Sequence, residues 1–154
     1  MVHARFKPVP PDQRIRELRK AFATLQKDEP SPERAERLAA FVRDANGERQ
    51  LNMSMHAAQL CLEDDPDAPA LLIAAFEDPD DSDVEAQLRA LDDLDDLARY
   101  IDRPDIREHA DARTVELATA WIAEASEAEL RHRLRTLTSI RDRAFADTIR
   151  DATR

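Results

Sequence analysis

Glycine is almost missing from this chain: one occurs in 154 residues, at position 47. Tight β-hairpins, glycine-rich phosphate loops and dinucleotide-binding fingerprints all rely on glycine's access to positive φ, so these classes are excluded. Cysteine is equally scarce. Cys61 stands alone, which removes an internal disulfide and points to a reducing compartment, so a cytoplasmic location is expected. The longest run of apolar residues and proline covers only residues 68–76, far short of the ~20 residues of a bilayer span. The basic residues near the N-terminus precede no apolar segment of the ~7–15 residues that a secretory signal needs. No membrane association is expected. Leu, Ile, Val and Phe together reach only about 21 % of the chain, just above the composition at which highly charged chains stay disordered. The core must therefore be thin and rich in alanine.

Charge is what the chain has in quantity. Acids outnumber bases 33 to 23, for a formal net charge of −10. The excess is local: residues 62–96 hold 14 acids and one base, Arg89, whereas residues 1–61 are mildly basic and residues 97–154 are balanced. Such a concentrated negative field suits a basic protein partner, or imitates the phosphates of a nucleic acid. Direct nucleic-acid binding is disfavoured, because phosphate affinity needs clustered bases.

Periodicity predicts an all-α fold, an irregular bundle of about seven helices arranged as hairpins. Residues 1–11 are expected to form an extended or disordered arm, and residues 12–154 one helical domain. Ile15, Leu18, Phe22 and Leu25 mark one face of a first helix, from about Asp12 to Lys27. Ser31 and Pro32 have the N-cap and first-turn chemistry of a second helix, which Asn46-Gly47 ends. A third helix is expected over residues 48–63, with Leu51, Met55, Ala58 and Leu62 on one side. Asp-Pro breaks then delimit a short apolar helix over residues 68–77. The next helix, capped by Asp81 or Ser82, runs to about Asp102. Helical pattern resumes after Pro104, and Ser126 with Glu129 has capping-box spacing. From there a single long C-terminal helix is predicted, with the stripe Leu130, Leu134, Leu137, Ile140, Phe145 and Ile149. Pro32, Pro66 and Pro104 recur at 34 and 38 residues. This spacing and the Asp-Pro-Asp turns resemble HEAT-type repeats, which implies a short solenoid as an alternative architecture.

Three functions stand open. The leading one is a small non-enzymatic interaction or regulatory protein. It would bind a protein partner through the acidic segment, with Asp80, Asp81, Asp83, Asp92, Asp93 and Asp96 as contacts, or through the C-terminal helix, with Arg131 and Arg135. That helix also suits association with a second copy of the chain. The second is metal-dependent phosphate chemistry. Asp92, Asp95 and Asp96 share a helical face, and paired carboxylates are what Mg²⁺ or Mn²⁺ requires. The string Asp92-Asp93-Leu94-Asp95-Asp96 is similar to the aspartate-rich motif of isoprenoid synthases, which need a second acidic motif and a larger helical cavity. Asp92 to Ile101 also resembles the second acidic motif of MazG-type nucleoside-triphosphate pyrophosphohydrolases. That family implies a partner Glu-x-x-Glu helix; Glu33 and Glu36 have the spacing but lie far upstream. The third is an acidic nucleic-acid mimic that blocks a DNA-binding protein.

Other clusters fall to simpler readings. Asp78 to Asp83 fails the calcium-loop template, with Asp83 where glycine is required and Arg89 where the bidentate glutamate belongs. His56 and Cys61 are five apart, so on a helix they diverge by roughly 140° and converge on no metal. Trp121 falls on an apolar stripe and reads as core. No cofactor is expected, and no catalytic residue is assigned.

Overall fold

A computed structural model describes residues 11–45, 66–77 and 83–154. Seven helices and no strand occur among them, so the all-α expectation holds. We number them α1 (Pro11–Lys27), α2 (Pro32–Ala45), α3 (Ala68–Phe76), α4 (Val84–Tyr100), α5 (Pro104–Ala123), α6 (Glu127–Ile140) and α7 (Arg143–Ala152). No described helix is long and apolar enough to cross a membrane. The expected third helix, the Asn46-Gly47 end of the second, residues 1–10 of the expected arm and the soft-ligand group Met53, Met55, His56 and Cys61 lie outside the described residues, while Pro11, the last residue of that arm, begins α1.

The chain divides into two compact units, Met1–Asp65 and Pro66–Arg154. In the first, α1 packs on α2. The Ser31 hydroxyl accepts from the Arg34 amide at 3.1 Å, as the cap chemistry predicts. Phe22 stacks on Phe41 with ring centroids 5.3 Å apart, and Leu18, Leu38 and Val42 are buried. Arg34 Nε donates to the Leu25 carbonyl at 2.8 Å, tying the start of α2 to the end of α1.

In the second unit α5 is central: α3, α4, α6 and α7 all pack against it. α5 buries Ile106, Ala110, Thr114, Ala118 and Ile122, which recur every four residues and so form one stripe that drifts about 40° per step around the helix, while Glu108, Ala112, Val115 and Glu116 face water. Thr114 meets its polar requirement locally, donating to the Ala110 carbonyl at 2.8 Å. No superhelical stacking of repeated hairpins is present among the described residues.

Caps account for the helix boundaries. Asp83, rather than Asp81 or Ser82, is the N-cap of α4, accepting from the amides of Glu85 and Ala86 at 3.1 and 3.4 Å. The end of α4 is a Schellman closure, with the Arg103 amide on the Ala98 carbonyl at 2.9 Å and the Asp102 amide on the Arg99 carbonyl at 3.3 Å. Asp102 holds the left-handed position, φ 56°, where glycine is the usual residue. The capping box at Ser126 and Glu129 is present in both directions. Hydrogen bonds from the Ser126 hydroxyl and the Ser126 amide to the Glu129 carboxylate, with Arg133 beside them, hold that carboxyl below the ordinary range.

The long C-terminal helix is a correction. It is two helices: α6 stops at Ile140, Arg141 leaves helical geometry (φ −124°, ψ −86°), and α7 begins at Arg143. Asp142 caps α7, accepting from the Phe145 amide at 2.7 Å. The reason lies in the phase of the apolar residues. Leu137 of α6 and Ala146 and Ile149 of α7 share one buried cluster with Leu88, Ala118 and Ile122. At ~100° per residue, an unbroken helix would turn Ala146 roughly 180° away from Leu137. Only a break brings both stripes to the same core.

Candidate functional site

α4 carries the aspartate string, and its apolar spacing decides what each aspartate does. Leu88, Leu91, Leu94 and Ala98 are buried. Position 95 falls between them at the three- and four-residue spacings of the same face, so Asp95 points inward and is only 6 % exposed. A buried carboxylate requires partners. Asp95 has two: Arg99 Nη2 at 3.4 Å from one turn along α4, and Arg107 Nε at 3.3 Å from α5.

Asp92 lies half-buried on the edge of that face, 3.8 Å from Arg141 Nε at the α6–α7 break. Arg141 also pairs with Asp111 of α5, and its guanidinium lies over the Phe145 ring at 4.9 Å. One arginine thus joins α4, α5 and the joint between α6 and α7. Burial raises the Asp92 carboxyl above the ordinary value; repulsion from Asp96 adds to this and Arg141 opposes it. Asp93 is exposed on α4 and is also raised, first by partial desolvation and then by Asp96.

Between these elements runs a groove of about 740 Å³. Six carboxylates line it (Asp92, Asp95, Asp96, Glu108, Asp111 and Asp142) against three guanidiniums, those of Arg99, Arg107 and Arg141. Asp92, Asp95 and Asp111 are paired with those arginines, and Asp142 is committed to its cap. Asp96 and Glu108 are exposed and form no ion pair among the described residues. The groove therefore has uncommitted negative charge on the side chains that face water.

Of the residues singled out in the sequence, the structure brings Asp92, Asp95 and Asp96 to this groove. Asp93 is not among its lining residues, and Asp83 is a helix cap. Asp80 and Asp81 lie outside the described residues. Arg131 and Arg135 are exposed on α6, away from the groove lining. Among the C-terminal arginines it is Arg141 that pairs with the acidic segment. Among the described residues, no group of three or more His, Cys, Asp or Glu is placed to hold a metal ion. Glu77, which follows α3 as its C-cap, is engaged by Arg113 at 2.7 Å.

The sequence reading missed Arg99, Arg107, Glu108, Asp111 and Arg141. A signal existed for the first, since Arg99 follows Asp95 by one helical turn and Asp95 interrupts an apolar stripe. No local signal marks the others, which reach the groove through the packing of α5 and the α6–α7 break. The Nδ1 of His109 lies 2.9 Å from the Asp105 backbone carbonyl, while the Asp105 carboxylate is held by Arg103 at 2.6 and 2.8 Å. Trp121 is half-buried against the core cluster with Arg133 over its ring at 5.2 Å. No known protein family, curated protein or solved structure matches the chain.

Proposed function

We propose that this chain is a non-enzymatic binding module whose α4–α5 groove takes a basic segment of a protein partner. The observation that carries the reading is the division of labour among the groove carboxylates. Asp92, Asp95 and Asp111 are neutralised internally, which holds the groove together, while Asp96 and Glu108 open to solvent without a counter-charge. Exposed, unpaired acids beside a fixed frame of guanidiniums attract cationic side chains and set their position, and they act chiefly on the rate of encounter. Asp93, one turn before Asp96 on α4, extends the negative surface beyond the groove.

The test is fluorescence anisotropy with a labelled hexa-arginine peptide at low salt. Binding is expected for the full chain, falling by roughly three- to thirtyfold in Asp96→Asn/Glu108→Gln, because each of the two exposed charges contributes about 0.3–1 kcal/mol. Added salt should weaken binding further. Equal affinity of the double variant, or equal binding of a hexa-glutamate peptide, would overturn the assignment.

A further inference from the structure

We infer that α7 is an exchangeable element: a second copy of this chain can supply it, giving a dimer in which residues 127–152 form one continuous helix. The α6–α7 joint is two residues long, Arg141 and Asp142, and contains neither glycine nor proline. Nothing in the local sequence forbids helix there, and the periodicity of the segment on its own reads as unbroken helix. The break is held by the tertiary pairing of Arg141 with Asp92 and Asp111, and by one local contact, the Asp142 cap. Short joints held by so few contacts are where chains exchange identical elements.

The phase of the apolar residues supplies the second argument. In a continuous helix of about 39 Å, Leu137 faces its own core while Ala146 and Ile149 turn roughly 120–180° away. An apolar stripe directed away from the parent core can be buried in the corresponding slot of a second copy, against Leu88, Ala118 and Ile122. The apolar contacts of α7 are then kept, made between copies instead of within one, and only the contacts of the joint are given up. The occupant is self-specified, because the slot already fits this helix.

Arg143 offers a clean test. It is the first residue of α7, where proline is tolerated, and Asp142 before it is extended (φ −163°, ψ 176°), as a residue preceding proline prefers. Arg143→Pro therefore suits the broken form but removes a hydrogen bond from the continuous one and clashes with the preceding turn. The full chain, refolded at high concentration and followed by size-exclusion chromatography with light scattering, is expected to contain dimer. Asp142→Ala should increase it, and Arg143→Pro should lower the association constant by at least on the order of 100-fold. In mixed-label dimers, Ile149 methyls of one copy should show NOEs to Leu88 and Ala118 methyls of the other. A wild type and Asp142→Ala that remain wholly monomeric, a dimer that persists in Arg143→Pro, or a dimer without those NOEs would each overturn the inference. The NOE measurement needs no variant, so it stands even if a substitution impairs folding.

Discussion

Replacing Asp95 by asparagine removes the charge from a side chain that is 6 % exposed and held between two guanidiniums at 3.3 and 3.4 Å. Two effects oppose each other. The variant loses both charge-assisted contacts, but these are long, and Arg99 and Arg107 keep 60 % and 49 % of their side-chain surface in water. Each contact therefore contributes about 0.5–1 kcal/mol rather than the several expected when both partners are buried. Against this, the cost of dehydrating a carboxylate disappears, although the asparagine amide must still be buried. The net loss should be about 1 kcal/mol. In a unit of about 90 residues that lowers Tm by roughly 4–8 °C. Asp95→Leu relieves the same dehydration, places an apolar side chain among Leu91, Leu94 and Ala98, and leaves two arginines free to hydrate. It should be at least as stable as Asp95→Asn. Thermal and urea denaturation followed by circular dichroism at neutral pH measure both variants. A loss above about 3 kcal/mol in Asp95→Asn, or an Asp95→Leu variant less stable than it, would refute the view that the arginines are free to rehydrate.

Asp102→Gly should raise stability by about 0.5–1 kcal/mol, since a residue with a Cβ now occupies the left-handed position of the Schellman closure; urea denaturation checks this, and no gain would show that the aspartate is comfortable there. Acid should act on two aspartates with opposite sign. The side-chain hydrogen bond from Arg103 lowers the Asp105 carboxyl to about 2, so its stabilisation is complete above about pH 4 and is lost as pH falls toward 2. The Asp93 carboxyl is raised, so its ionised form opposes folding at neutral pH and protonation relieves this as pH falls. Asp93→Asn should therefore raise Tm at pH 7 but not near pH 3, and a gain of equal size at both would refute the assignment. Carboxyl chemical shifts followed through an acid titration would measure both groups directly.

Helix starts were legible in the sequence because the chemistry of a cap is local. Ser31 before Pro32, and Ser126 three residues before Glu129, satisfy amide groups only a few positions away, and both caps are present. The α4 cap shows the limit of that reading. Asp81, Ser82 and Asp83 are all chemically able to cap, and the backbone selects Asp83, the residue extended just before the first turn. Asp95 was half legible: it occupies a position of the apolar stripe, but the similar aspartates around it conceal which one turns inward.

What the sequence by itself determined is therefore the class and its punctuation: helices with known starts, no glycine-built phosphate loop, and acidity concentrated over residues 62–96. What only the tertiary structure decided is the break at Arg141 and the groove beside α4. No glycine or proline interrupts residues 140–143, and the one local signal, Asp142 as a cap, does not by itself fix a break there. The core stops it, because Leu137 and Ile149 are buried together only if the helix is cut and its phase reset. The same cut places Arg141 against Asp92 and Asp111, residues distant in sequence. Pairings of that kind depend on how helices cross, and periodicity along one chain holds no record of that.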